Sequence, residues 1–286
     1  MGAVRATQAS HRARAGSLSS FASGQFASGL AVTAAVDVAL FAITWLIARR
    51  LNRYNVVDVL WSLSIAAITI AAFAGSTNVG ADTARRSLVL AMTVAWALRL
   101  AGHIWKRNRG HGEDPRYAAI LSRATGSVPI YALLRVFLPQ AVIAYAISMP
   151  LQIAMYQRGG NTWLDVAGGV VWLTGLTFEA VGDAQLATFV ARRTDSTQVM
   201  DTGLWRYTRH PNYFGEAMLW FGLWLPAAVD WRGLAAIASP IIVTYLVGFA
   251  SGKPLLERAM AKRKPTYADY MARTSGFLPL PPRAAK

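Results

Sequence analysis

Apolar positions along the chain fall into seven long runs separated by short polar segments: Gly29 to Ala48, Val56 to Gly75, Ser87 to Trp105, Val136 to Met155, Trp163 to Gly182, Tyr213 to Val229 and Leu234 to Ala250. A helix crossing the hydrocarbon core of a bilayer needs about 20 predominantly apolar residues. The pattern therefore predicts an all-α, polytopic membrane helical bundle with about seven transmembrane helices, the last two runs being the shortest. Residues 1–28, rich in Ser, Ala, Gly and Arg, read as a disordered N-terminal tail. Residues 29–280 read as a single membrane-embedded domain, and residues 281–286 as a C-terminal tail. The first apolar run is longer than a signal-peptide core and ends without a small-residue cleavage site, so it is expected to stay as a span.

Composition supports that reading. Hydrophobic residues make up 54 % of the 286 and charged residues only 15 %, against about 25 % in soluble domains. The 29 Lys and Arg outnumber 14 Asp and Glu. With seven spans, 21 of the basic residues fall on one side and seven on the other, with Arg99 inside the third span. Positive charge collects on the cytoplasmic side, so the N-terminus is expected outside and the C-terminus in the cytoplasm. That basic excess reads as contact with membrane lipids rather than nucleic acid. With no cysteine, disulfide scaffolds and Cys-ligated metals are excluded. The four histidines, at 11, 103, 111 and 210, show no metal-ligand spacing, so no metal site is expected. The oligomeric state is left open.

Soluble-enzyme signatures such as Walker A, HExxH and GxSxG are missing. What remains informative is the set of ionisable groups in or at the edge of spans, where they are costly and tend to be functional. These are Asp37, Asp58, Arg99, Glu179, Asp183 and Glu216. Glu179 and Asp183, at i and i+4, share one helix face and need a cation or a ligand. The densest polar segment runs from Asp201 to Glu216. There Arg206, Arg209 and His210 are donors suited to phosphate or carboxylate, and Pro211 suits the first turn of a helix whose amides add to an anion site. Asn212 offers an amide able to read a base or a carboxamide, and Glu216 faces inward.

Gly203-Leu-Trp-Arg-Tyr-Thr-Arg-His-Pro-Asn-Tyr-Phe-Gly-Glu216, together with the tail Leu256-Glu257 and Tyr267-Ala-Asp-Tyr270 through Pro279, resembles the bacterial branch of the steroid 5-alpha-reductase family. The likeness spans roughly residues 35 to 280 and includes Asp58-Val-Leu-Trp61, Arg99-Leu and Pro115-Arg-Tyr117. It implies a seven-helix bundle in a bacterial inner membrane, binding NADPH among its later helices beside a cavity that admits a lipophilic small-molecule substrate from the bilayer. The cofactor residues it implies are Asp183, Asn212 and Glu216, with Arg206, Arg209, His210 and Tyr213 as motif neighbours and Tyr270 and Arg273 in the tail, and Glu179 joins them as the carboxylate one turn from Asp183. Asp58, Arg99 and Tyr117 are the candidates at the catalytic end, polarising a carbonyl conjugated to the C=C bond that is reduced. One departure concerns the basic residue that relatives carry after the acidic helix. This chain has Phe189-Val190 there, so that phosphate contact shifts to Arg192 or Arg193 or weakens.

The Arg-His-Pro-x-Tyr signature is also similar to that of the isoprenylcysteine and phospholipid methyltransferases, which bind S-adenosylmethionine. Those proteins carry two adjacent glutamates in the tail, whereas here Glu257 is followed by Arg258. The continuation through Asn212 to Glu216 matches the reductases better. A non-catalytic membrane protein keeping the fold, or a transporter, is the remaining alternative.

Overall fold

The computed structural model describes residues 21–159, 162–250 and 252–283, and among these it is helical with no strands. The elements are α1 (Ser23–Leu51), α2 (Val57–Gly75), α3 (Thr83–Asn108), the short α4 (Pro115–Leu121) and α5 (Val128–Ala154), which contains a π-turn at Leu133–Phe137. Then come α6 (Thr162–Arg192), α7 (Pro211–Trp224), α8 (Trp231–Ala235), α9 (Ala238–Tyr245) extended by a π-turn at Leu246–Ala250, α10 (Lys253–Arg263) and α11 (Tyr267–Arg273).

Six helical stretches are long and apolar enough to cross a membrane, the last being the run Trp231–Arg263. The chain is an integral membrane protein. The predicted sixth span is where sequence and structure part: α7 has 14 residues, about 21 Å at 1.5 Å per residue, less than a full hydrocarbon core. It nevertheless runs back along α6. Its start lies on Gly182 through Pro211 and Asn212, and Pro226 just past its end lies on Gly168.

That antiparallel contact is closer than ordinary side chains allow. Gly168, Gly175 and Gly182 on α6, and Gly215 and Gly222 on α7, recur every seven residues and so share one helix face. A Cβ on Gly175 would stand 2.4 Å from the Leu219 nitrogen, and one on Gly215 would stand 2.5 Å from the Glu179 nitrogen. Apolar burial gives little drive to helix association inside lipid, and close backbone packing over small residues takes its place.

Helix ends follow local chemistry. Asp82 caps α3 by accepting from the Ala84 and Arg85 amides, Asp114 caps α4 ahead of Pro115, and Pro211 opens α7. α1 ends at Asn52, which takes the left-handed conformation at φ 50°, behind Arg49 and Arg50 in the last turn. α2 is the central helix and α1 a peripheral one: half of the most apolar stretch of α2 is buried, against 17 % for α1.

The N-terminal expectation needs one correction. Helix α1 begins at Ser23, not Gly29, and residues 21–28 are part of the fold. Phe21 is buried beside Phe26, which in turn packs edge-on against Tyr156. The rest of the expected tail, residues 1–20, lies outside the described residues, as do residues 284–286 of the expected C-terminal tail.

Candidate functional site

The site begins at the glycine seam, which sets α6 and α7 close enough for polar side chains one turn apart to meet. Glu179 and Asp183 project from α6 toward α3, where Arg99 answers both: its Nη2 bonds Glu179, and its Nη1 donates to Asp183 at 3.0 Å. Asn212, in the first turn of α7, donates its amide to Asp183 at 3.1 Å, and His103 lies 3.8 Å from the same carboxylate. One turn deeper, Glu216 accepts from the indoles of Trp220 at 3.0 Å and Trp96 at 3.3 Å. The Glu179 and Glu216 carboxyls interact across the seam. Glu179 Oε2 and Arg99 Nε are buried without a hydrogen-bond partner.

Three carboxyl groups against Arg99 and a nearby histidine leave the cluster short of positive charge and rich in acceptors. Buried polar atoms cost free energy unless paired, so an orphaned acceptor beside an orphaned donor marks a place where a ligand with hydroxyl or amide groups fits. Structure places Arg99 here and not beside Asp58 and Tyr117, with which the sequence groups it at the catalytic end. It also shows that Glu179 and Asp183 do not turn to Arg192 or Arg193, both of which are exposed.

A second polar group lies where α2, α4 and α5 meet. The Tyr117 hydroxyl donates to Asp58, Arg116 donates to the other Asp58 oxygen at 3.1 Å, and Gln140 reaches Tyr117 at 3.5 Å. Asp58 is thus tied to α4 and makes no pair with Arg53. Burial, with the Asp58 charge beside it, pushes the Tyr117 phenol above the ordinary tyrosine range. It stays protonated, a hydrogen-bond donor at neutral pH. Asp58 and Tyr117 come together as the sequence suggested, while Arg99 belongs to the other cluster. Tyr213 links the two electrostatically, interacting with Arg116 and Arg107 on one side and with Asp183 and Glu216 on the other.

The Arg-His-Pro segment divides between two tasks. Asn212, Tyr213 and Glu216 face the bundle. Arg209 and His210 face the tail: Arg209 Nε donates to Glu257 at 2.8 Å, its Nη1 donates to the carbonyls of Thr274 at 2.6 Å and Met271 at 3.1 Å, and His210 Nε2 lies 3.1 Å from Glu257. The His210 ring stacks on Tyr213 at 5.3 Å. Burial holds the His210 imidazole below its ordinary pKa despite the Glu257 carboxylate. Tyr270 donates to the Trp205 carbonyl, and Arg273 pairs with Asp201. In this conformation Arg209, His210 and Tyr270 therefore secure the tail. Arg206 is exposed at the same end.

Several participants carried no usable signal in the sequence. Nothing in the sequence marks Trp96 and Trp220 as partners of Glu216, and their indole donors follow only from how α3 meets α7. Glu113, which accepts from the Asn55 amide at 3.0 Å and also from that of Tyr54, caps the entry to α2 from across a loop. The seven-residue glycine spacing is the one signal present in the sequence that would have marked the seam. Asp37 is buried between α1 and α2 with Oδ1 unpaired, away from either cluster.

Among known proteins, the chain is 24 % identical over 229 residues to an uncharacterized protein, C594.04c, of the yeast Schizosaccharomyces pombe. The match takes in 68 % of this chain and 64 % of that protein's length. No solved structure matches it. A family described as protein of unknown function DUF1295 matches residues 44–274, which take in both polar clusters and the whole glycine seam, and the chain belongs to that family.

Proposed function

We propose that the protein is a membrane-embedded, NADPH-dependent reductase of a carbon–carbon double bond in a lipophilic substrate such as an isoprenoid, steroid or other lipid. The observation that carries this reading is the Arg99–Glu179–Asp183–Asn212–Glu216 cluster, an acceptor-rich polar site with orphaned atoms, set into the α6–α7 seam of an apolar bundle. The resemblance of the Arg-His-Pro-Asn segment to the steroid 5-alpha-reductases supports it.

The residues suit the cofactor in part. Asp183, Asn212 and Glu216 match the hydroxyl and carboxamide donors of a nicotinamide riboside. Arg206, Arg192 and Arg193 are exposed at the same end and suit its phosphates, whereas Arg209 is occupied by Glu257 and the tail. When bound, NADPH supplies the hydride. The chain's own contribution is to exclude water from the seam, to hold that riboside against Asp183 and Glu216, and to present a donor to the substrate. Tyr117, held protonated, is that donor. Its hydroxyl turns from Asp58, which accepts it in the resting site, to a substrate carbonyl and polarises it as negative charge grows on oxygen, while Arg116 holds Asp58 in place. The C-terminal end is assigned to the cytoplasm of a bacterial cell, where the nucleotide is available.

The deciding experiment is equilibrium binding of NADPH and of S-adenosylmethionine, side by side, to the purified protein in detergent. NADPH binding that is lost in Asn212→Ala and in Glu216→Ala, with the variants still folded, supports the reductase. Binding of S-adenosylmethionine alone makes the protein a methyltransferase, and binding of neither makes it a non-catalytic member of the fold.

A further inference from the structure

The tail held by Arg209 covers a cavity that the proposed reaction does not use. Its volume is about 210 Å³, and its walls include Arg209, Arg273, Thr274, Ser275, Gly276 and Arg283. Arg209 spends Nε and Nη1 on Glu257 and the tail carbonyls. Its remaining nitrogen, Nη2, lies 3.1 Å from the point a Cβ on Gly276 would occupy, and the ammonium of Lys253 lies 3.0 Å from the same point. Two cationic groups thus converge where a glycine leaves room.

The charges do not balance. Three basic side chains, Arg209, Arg273 and Arg283, line the cavity and Lys253 reaches its Gly276 wall, while the carboxylates against them are Glu257 and Asp201. Lys253 and Arg283 form no ion pair among the described residues. Cations brought this close repel one another unless an anion joins them, and guanidinium and ammonium groups around a small cavity suit a phosphate.

The surroundings say what carries that phosphate. Phe277 anchors the tail on the end of the last span, packing on Phe249 at 6.1 Å and closing over Gly248. Phe249, Leu278, Leu280 and Leu255 are each about half exposed around it. A basic cavity rimmed by exposed apolar side chains at the end of a membrane span meets the headgroup layer of the bilayer. The cavity has room for one phosphate but not for a dinucleotide.

We propose that this cavity binds the phosphodiester headgroup of an anionic phospholipid, whose acyl chains run past Phe249 and Leu278. The bound lipid joins the tail to the last span, and through Arg209 it braces the start of α7. This inference does not rest on the reductase reading.

Native mass spectrometry of the full chain tests it, with protein released from neutral detergent containing equal amounts of phosphatidylglycerol and phosphatidylcholine. Retention of one phosphatidylglycerol per chain, favoured at least tenfold, is expected. The double variant Lys253→Gln, Arg283→Gln and the cavity-filling Gly276→Leu should each cut that retention about tenfold, the second with every charge in place. Equal retention of the two lipids, or retention unchanged in both variants, overturns the proposal. So does displacement of the lipid by NADPH or by inorganic phosphate at equal concentration, which would give the cavity to a nucleotide or a free anion.

Discussion

The two halves of one short segment behave differently. Arg209 Nε and Nη1 and His210 Nε2 are taken up by Glu257 and tail carbonyls, whereas two and six residues later Asn212 and Glu216 face a cluster in which Glu179 Oε2 and Arg99 Nε lack partners. The first half is tied down by the protein's own tail, and the second keeps buried polar atoms without partners. Residue types that look equally chemical in a sequence are separated by whether the fold has already met their hydrogen-bonding demand.

The largest effect should come from forcing the seam apart. Gly215→Leu places a side chain against the Glu179 backbone and should abolish NADPH binding while lowering detergent stability by about 3 kcal/mol, the upper end of overpacking costs. An unchanged melting temperature would show that the seam is not as tight as its geometry says. Next, Glu257→Ala leaves Arg209 and His210 facing each other without a counter-charge. Removing one partner of a largely buried pair costs about 3 kcal/mol, so the tail should become sensitive to limited proteolysis while the bundle stays intact.

Asn212→Ala and Glu216→Ala sharpen the contrast from the other side: each should lose more than tenfold in NADPH affinity, Asn212→Ala with little change in melting temperature and Glu216→Ala with a modest drop, since the Trp96 and Trp220 indoles lose their acceptor. A smaller effect follows from acid. His210 is held neutral in the folded state, so the unfolded chain binds more protons once the pH drops to about 6.5 and below. Stability should be full above pH 6.5 and fall as the pH drops toward the depressed folded value. His210→Gln should flatten that slope, and a slope unchanged in the variant would remove His210 as its source. Orientation has a separate check, since a cytoplasm-dependent reporter fused to the C-terminus should be active.

Spans and their order were legible because lipid imposes a one-dimensional rule of length and composition. Gly29 to Ala48 and Val56 to Gly75 fall within or next to α1 and α2 on that rule alone. The rule misplaces α7, whose 14 residues are shielded by α6 and need not meet lipid along their whole length. Partner choice was not legible. Nothing in the sequence picks a partner for Arg99, and only the placement of α3 against α6 sends it to Glu179 and Asp183. The burial of Phe21, with Phe26 packed beside it, was hidden by the low-complexity sequence around them.

The length of α6 works as a depth gauge. Its 31 residues measure about 46 Å, longer than the ~30 Å hydrocarbon core. Gly182, where α7 begins, stands twenty residues from Thr162, or about 30 Å, and the last ten residues to Arg192 add about 15 Å beyond it. Counted from Thr162 as one edge of a ~30 Å core, Asp183 and Asn212 fall at the level where hydrocarbon gives way to headgroups, with a stalk of helix past them. At that boundary a charged, water-soluble molecule can arrive along the stalk without crossing oil, while a greasy one reaches the same point sideways from the membrane.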